Sequence, residues 1–388
     1  MKLLRVAVSG LPLFDNKCEI DFCAIQRVTD ENSEKMGFLF SANGQNFYQN
    51  NVLSFIGINA SGKTSILKLI SFVFEMLNNQ SINMISTNEI LEGIDSDNKA
   101  SLQICFLAEN QTINMLTTII GKENGKYVIF DEDMKSKPCS SVKSKKNLLD
   151  FENAETILSR NRDEAFLLDD VSIMVAFNKK IKNPFSVSDM LQYTNNNELS
   201  ISEDCPAELI AFFDPSVEYL HISVSGKETD IRLKFIGKDE LRINRLYDLN
   251  RYLSSGTIKG INTFLRATRV LKTGGYLIID ELENHFNHEI VSTLIRFYMD
   301  KKVNPKGAML IFSTHYAELL DEFERNDNIY IVRNRDGIST ENLSFILKRN
   351  DIKKSEAYQS GFLGDTVPMY DAYMALKKSL ICSHKEDK

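Results

Sequence analysis

Eight residues, Gly57-Ile58-Asn59-Ala60-Ser61-Gly62-Lys63-Thr64, constrain the fold of this chain more than any other stretch. They follow the apolar run Val52-Leu53-Ser54-Phe55-Ile56 and precede the amphipathic Ser65-Ile66-Leu67-Lys68-Leu69-Ile70. A buried strand therefore turns through a glycine-framed loop into a helix. The glycines let backbone N–H groups turn inward, and the new helix presents its N-terminal dipole to the same point, so the loop suits a phosphate chain. Gly57, Asn59, Ala60, Ser61, Gly62 and Ser65 are the expected lining. Lys63 is expected to reach the β- and γ-phosphates, and Thr64 to offer its hydroxyl to Mg²⁺.

A second run, Gly275-Tyr276-Leu277-Ile278-Ile279-Asp280-Glu281, is apolar until it ends in two carboxylates. The acids then sit at the C-terminal edge of a buried strand, where α/β sheets hold their ligands. Asp280 is expected to hold Mg²⁺ through its water shell, and Glu281 to orient or deprotonate an attacking water. Two weaker signals accompany them: Leu253-Ser254-Ser255-Gly256 opens a helix, and Ser313-Thr314-His315 ends the strand from Met309. Ser254, Ser255 and Gly256 can offer donors to a γ-phosphate, or simply form a helix cap. His315 can bond the γ-phosphate and position water. Order makes the set specific: loop, serine pair, acid pair 26 residues past Ser254, then a histidine 35 residues past Asp280. That is the pattern of an ABC ATPase, with ATP and Mg²⁺ as the expected ligands.

At this point the chain resembles ABC-type heads of the SMC, RecF and OLD kind, and among them the AAA-family ATPases of bacterial abortive-infection and anti-phage systems. Gly57–Thr64 is similar to their G-x-N-A-S-G-K-T loop, Leu253–Thr257 to their LSSGT signature, and Asp280-Glu281-Leu282-Glu283-Asn284 to their extended acid motif. The likeness covers roughly residues 1–120 and 217–345. Tyr358 to Pro368 is also similar to the stretch ending ATPase subunits of the PARIS, RloA and AbiL types. The chain departs from the family where members read Asn-Ser-Leu-His-Pro, since it has Asn284-His285-Phe286-Asn287-His288. Gln103 is the candidate for the glutamine such ATPases place near the γ-phosphate. His285 and His288 have no third metal ligand in view.

The expected architecture is α/β, a P-loop NTPase of ABC-head type with a strand-rich N-terminal part and an inserted, mostly helical lobe. Its parts are a core at 1–131, an insertion at 132–215 with helical stretches such as 147–159, a core at 216–345 and a tail at 346–388. Residues 217–224 and 230–236 are expected to form a hairpin across Ser225–Thr229. No apolar run approaches the roughly 20 residues of a membrane helix, and the start lacks a signal-peptide pattern, so a cytoplasmic protein is expected. The six scattered cysteines fit reduced thiols. A net charge of −7 leaves nucleic-acid contact only to a local patch, and the one dense basic run is Lys135, Lys137, Lys143, Lys145 and Lys146.

The resemblance implies a head-to-tail homodimer or larger homo-oligomer, in which each signature meets the ATP held by the other P-loop. It also implies a sensor or scaffold subunit of an anti-phage system, with a phage trigger and a separate effector, a TOPRIM-like nuclease or toxin. The residues after His315 show no TOPRIM-like acid arrangement, so the output is sought in that partner. A RecF- or SMC-like DNA-repair ATPase is the alternative; a transporter subunit and an inactive nucleotide-binding scaffold fit less well.

Overall fold

Val52–Ile56 is buried at all five positions, as a strand covered on both faces must be. In the computed structural model it lies inside a six-stranded sheet ordered Val187–Asp189, Tyr276–Ile279, Met309–Thr314, Val52–Ile56, Ile329–Asn334 and Ile338–Asn342. The first five run parallel and the last is antiparallel. The structure describes residues 1–160, 167–181, 184–193, 199, 205–225, 228–284, 286–349, 351–366 and 370–386. His285, residues 226–227 of the expected hairpin connection, and Val367-Pro368 lie outside them.

Side-chain alternation divides this sheet between two cores. Leu53, Phe55, Ile278 and Ile311 face the helix Lys63–Leu77 and a second sheet beyond it. Val52, Ile56, Leu277 and Phe312 face the helices Ser255–Thr273 and His288–Met299. The second sheet is antiparallel, ordered Cys18–Asp21, Lys2–Ser9, Ala100–Leu107, Thr112–Glu123, Lys126–Pro138 and Glu155–Ser159. Packed between two sheets, Lys63–Leu77 is buried nearly all round, as expected of a helix without a solvent face. Tyr276 and Tyr330 tie the layers together: their hydroxyls accept the backbone N–H of Leu3 and Asp21, each at 2.7 Å.

The strands at 276, 309 and 329 and the helices at 255 and 288 form where the sequence indicates. Val217–Ser225 pairs antiparallel with Glu228–Phe235, as the expected hairpin does, and Leu241–Ile243 adds a third strand. Among the described residues of 132–215, Met174–Ile181 and Ala207–Phe213 are helices, but the helical reading of 147–159 is corrected. Lys126–Pro138 runs straight through the expected boundary at 131, and the stretch read as helical from 147 to 159 holds only the short helix Lys145–Leu148 before the strand Glu155–Ser159. The physical reason is pairing: Glu155–Ser159 hydrogen-bonds Asp133–Ser136 as an edge strand, and this outweighs local propensity. Val187–Asp189 likewise joins the central sheet. Among the described residues no helix is long and apolar enough to cross a membrane. Cys18, Cys23, Cys105, Cys139 and Cys205 are buried thiols outside any disulfide.

Candidate functional site

Because the strand Met309–Thr314, which His315 follows, lies between those ending at Ile56 and Ile279, three parallel strands deliver the loop, the histidine and the acid pair to one sheet edge. Gly62, at φ +96°, turns the chain into its helix, and Ala60 is also left-handed at φ +61°. Gly57 is obligatory for packing: a Cβ there would stand 2.4 Å from Ser61 Oγ and 2.5 Å from the Val332 carbonyl oxygen. Ser61 Oγ is buried and has no hydrogen-bond partner among the described residues, which leaves it available to an anion seated in the loop.

Lys63 is 6 % exposed and donates to the carbonyls of Gly57 and Ile58 at 2.8 and 3.1 Å. Burial lowers its pKa from the usual lysine value, opposed by attraction to Asp280, Glu281 and Glu283. Thr64 Oγ1 donates to Asp280 Oδ2 at 2.8 Å. A hydroxyl and a carboxylate so close, at the start of a helix, suit a magnesium ion with a mostly water shell. His315 stands between the basic and acidic halves, its Nδ1 3.4 Å from Lys63 Nζ and its Nε2 3.6 Å from Glu281 Oε1.

Two residues that sequence reasoning missed hold this arrangement. Ser313 is fully buried; its hydroxyl donates to Asp280 Oδ1 and accepts the Glu281 N–H at 2.7 Å, while its carbonyl accepts the Leu282 N–H. The clamp fixes Glu281 at φ +47°, a conformation rare for a non-glycine residue and found where structure over-determines the backbone. Glu283 accepts the His315 N–H through Oε1, fixing the histidine to the acid turn. Both stand inside motifs read from the sequence, Ser313 two residues before His315 and Glu283 two after Glu281, but sequence reasoning assigned neither a role.

The signature residues are placed differently. Ser254 caps the helix Ser255–Thr273, accepting the Thr257 N–H at 3.0 Å. Ser254 and Ser255 are exposed. Among the described residues no hydrogen bond or ion pair joins Ser254, Ser255 or Gly256 to Gly57–Thr64. Ser65 follows Thr64 in the first helical turn, and Asn59 lies in the loop between Ile58 and Ala60.

Gln103 is corrected as a γ-phosphate contact. It sits mid-strand between Leu102 and Ile104, whose side chains pack toward the P-loop helix, so its own exposed side chain is on the opposite face. The basic run is also partly occupied internally. Lys137 bonds the carbonyls of Asn147 and Asp150, and Lys145 those of Ile25 and Gln26. A cavity of about 450 Å³ flanks the strand pair beside the loop, lined by Asp15, Arg333, Arg335 and Gly337. Asn334 Nδ2 ties that strand pair to the Ala60 carbonyl at 3.3 Å. The larger cavity, about 570 Å³, lies at the other end of the acid-pair strand, against Lys2 and Gly275.

Residues 143–321, a little under half of the chain, match a family model described as an AAA domain, putative AbiEii toxin, Type IV TA system. The matched segment holds the signature, the acid pair and His315 but not the loop at 57–64, so the two halves of the site are supported by separate signals. Together with the α/β fold, the match supports a P-loop ATPase domain of abortive-infection type. No curated protein matches the chain.

Proposed function

We propose that this chain is an ATP-binding and ATP-hydrolysing subunit of ABC type that works in an anti-phage defence system. The observation carrying the reading is the convergence of Lys63, His315 and Glu281 with the Thr64–Asp280 pair at the ends of three adjacent strands. Gly57–Thr64 would cradle the triphosphate, with Asn59, Ala60, Ser61, Gly62 and Ser65 giving backbone and hydroxyl donors. Lys63 would turn its ammonium from the loop carbonyls to the β- and γ-phosphates. Thr64 and Asp280 would hold Mg²⁺, which neutralises charge on the phosphates when bound. Glu281 would accept a proton from the attacking water, held in place by its Ser313 clamp. His315, fixed by Glu283, would donate to the γ-phosphate. Such preorganised donors are the main contribution a protein makes to phosphoryl transfer.

The exposed position of Ser254 and Ser255, with Gly256 beside them at the start of the helix, supports a head-to-tail homodimer in which they complete the partner's site. The words toxin and TA system in the matched family's description support a role beside a separate effector, for which a TOPRIM-like nuclease is our first expectation. Two assays test this. Purified protein should release phosphate from ATP with Mg²⁺, and Glu281→Gln should bind ATP but turn over about 10²- to 10⁴-fold more slowly. Tagged Glu281→Gln protein should then be recovered from its native cells with and without phage. A co-purifying nuclease or toxin whose recovery changes on infection supports the defence role. Recovery of replication and repair proteins alone, unchanged by infection, moves the assignment to a RecF-like repair ATPase.

A further inference from the structure

The helix that opens at the signature also carries a charge into its own subunit's acid cluster. Lys259 lies one turn into the helix Ser255–Thr273 and is only 3 % exposed, although lysine is rarely buried without anionic company. Its ammonium lies over the ring of Phe286, 5.9 Å from the centroid, and Phe286 closes the turn that begins at Glu281, donating its N–H to the Glu283 carbonyl at 3.0 Å. Glu281, Glu283 and Asp280 all attract Lys259, against a burial that lowers its pKa. Glu283 suits such a neighbour: Oε1 holds the His315 N–H, while Oε2 is buried and has no hydrogen-bond partner among the described residues.

We propose that Lys259 is a positioning residue that neutralises the Glu281–Glu283 turn from the subunit's own signature helix, so that a movement of that helix changes the field at the water-activating carboxylate. The inference rests on the ATPase reading above. Ser254, Ser255 and Gly256 sit at the exposed tip of the helix and Lys259 one turn inside it, so contact made at the tip reaches the acid turn through one rigid element. Each subunit thereby senses at its own acid pair whether its signature is engaged. Lys259 touches neither phosphate nor water in this scheme. Buried Glu283 and part-exposed Glu281, spaced i, i+2, place like charges close together, and a lysine offsets them without competing for the magnesium position.

The test uses the full chain with Lys259→Met, which keeps the stem and removes the charge, and Lys259→Arg, which restores it. In steady-state ATP hydrolysis, Lys259→Met should lower kcat by about tenfold with KM changed less than threefold, and Lys259→Arg should recover most of the loss; one buried charge contact removed corresponds to this scale. A second readout does not depend on turnover. Denaturant unfolding of Lys259→Met, Glu283→Gln and the double variant should show the double losing clearly less than the sum of the singles. Additive losses overturn the proposal, as does a Lys259→Met protein with normal kcat. If wild-type protein hydrolyses no ATP, the ATPase reading fails, and the unfolding cycle still decides whether Lys259 supports the acid turn.

Discussion

Replacing Ser313 with alanine removes one oxygen that two parts of the site share. In the folded protein this hydroxyl donates to Asp280 Oδ1 and accepts the Glu281 N–H, and it is wholly buried. The bond to a carboxylate contributes about 1.5–3 kcal/mol and the bond from the backbone about 1 kcal/mol, so Ser313→Ala should cost about 2–4 kcal/mol in denaturant unfolding. The loss falls on one feature in particular. Glu281 holds φ +47°, and with its N–H released the turn can relax toward an ordinary conformation and carry the carboxylate away from the water it is proposed to activate. Misplacement by about 1 Å costs on the order of 10²-fold in turnover, so kcat should fall by about 10- to 100-fold. Nucleotide affinity should change less than about threefold, because Lys63 and the 57–64 loop are untouched and uniform binding is preserved. Phosphate release, fluorescent-nucleotide titration and urea unfolding measured on one preparation separate these effects. A variant that is destabilised yet hydrolyses ATP within twofold of wild type refutes the reasoning, since the acid turn would then hold its shape without the serine.

Lys63→Ala should abolish ATP binding, seen as loss of the thermal shift that saturating Mg-ATP gives the wild type; ligand at 100 times its Kd stabilises by about 2.7 kcal/mol, and the variant should show none of it. Gly57→Ala should express poorly or lose nucleotide binding, because its Cβ would press 2.5 Å from the Val332 carbonyl, a backbone atom that cannot swing aside; normal binding titrations would show the loop more pliable than its packing implies. For the head-to-tail dimer, Lys63→Ala and Ser254→Arg should each be inactive alone. Mixed in equal amounts with subunit exchange, they should recover about a quarter of wild-type turnover, because half the dimers are mixed and each has one intact site. No recovery in a mixture shown to exchange would mean that each chain completes its own site.

The parts of this molecule legible in sequence are those where local chemistry and tertiary structure ask for the same residue. Gly57–Thr64 and Ile279–Glu281 are such places: an apolar run that ends abruptly in glycines or acids can hardly be anything but a buried strand meeting solvent at its C-terminal edge, and the structure has both there. The second sheet was only half visible. Ala100–Leu107 alternates cleanly, but Glu155–Ser159 has one buried residue among five, Leu158, and acquires its conformation from the neighbour it pairs with. An edge strand of that kind carries little pattern of its own, which is why residues 147–159 read as a helix. Gln103 failed for a related reason: residue type suggested a contact, whereas strand parity turned the side chain to the other face. The same limit hid Ser313, Glu283 and Lys259. Each is an ordinary residue type inside a motif stretch or a helix, and its role comes from the fold that sets His315 between the P-loop and the acids. Motif residues touch the ligand, so chemistry narrows their identity; supporting residues touch the motif, so only the fold picks them out. The supporting layer is therefore where single substitutions should separate turnover from binding, because it can shift Glu281 and His315 while leaving the phosphate loop intact.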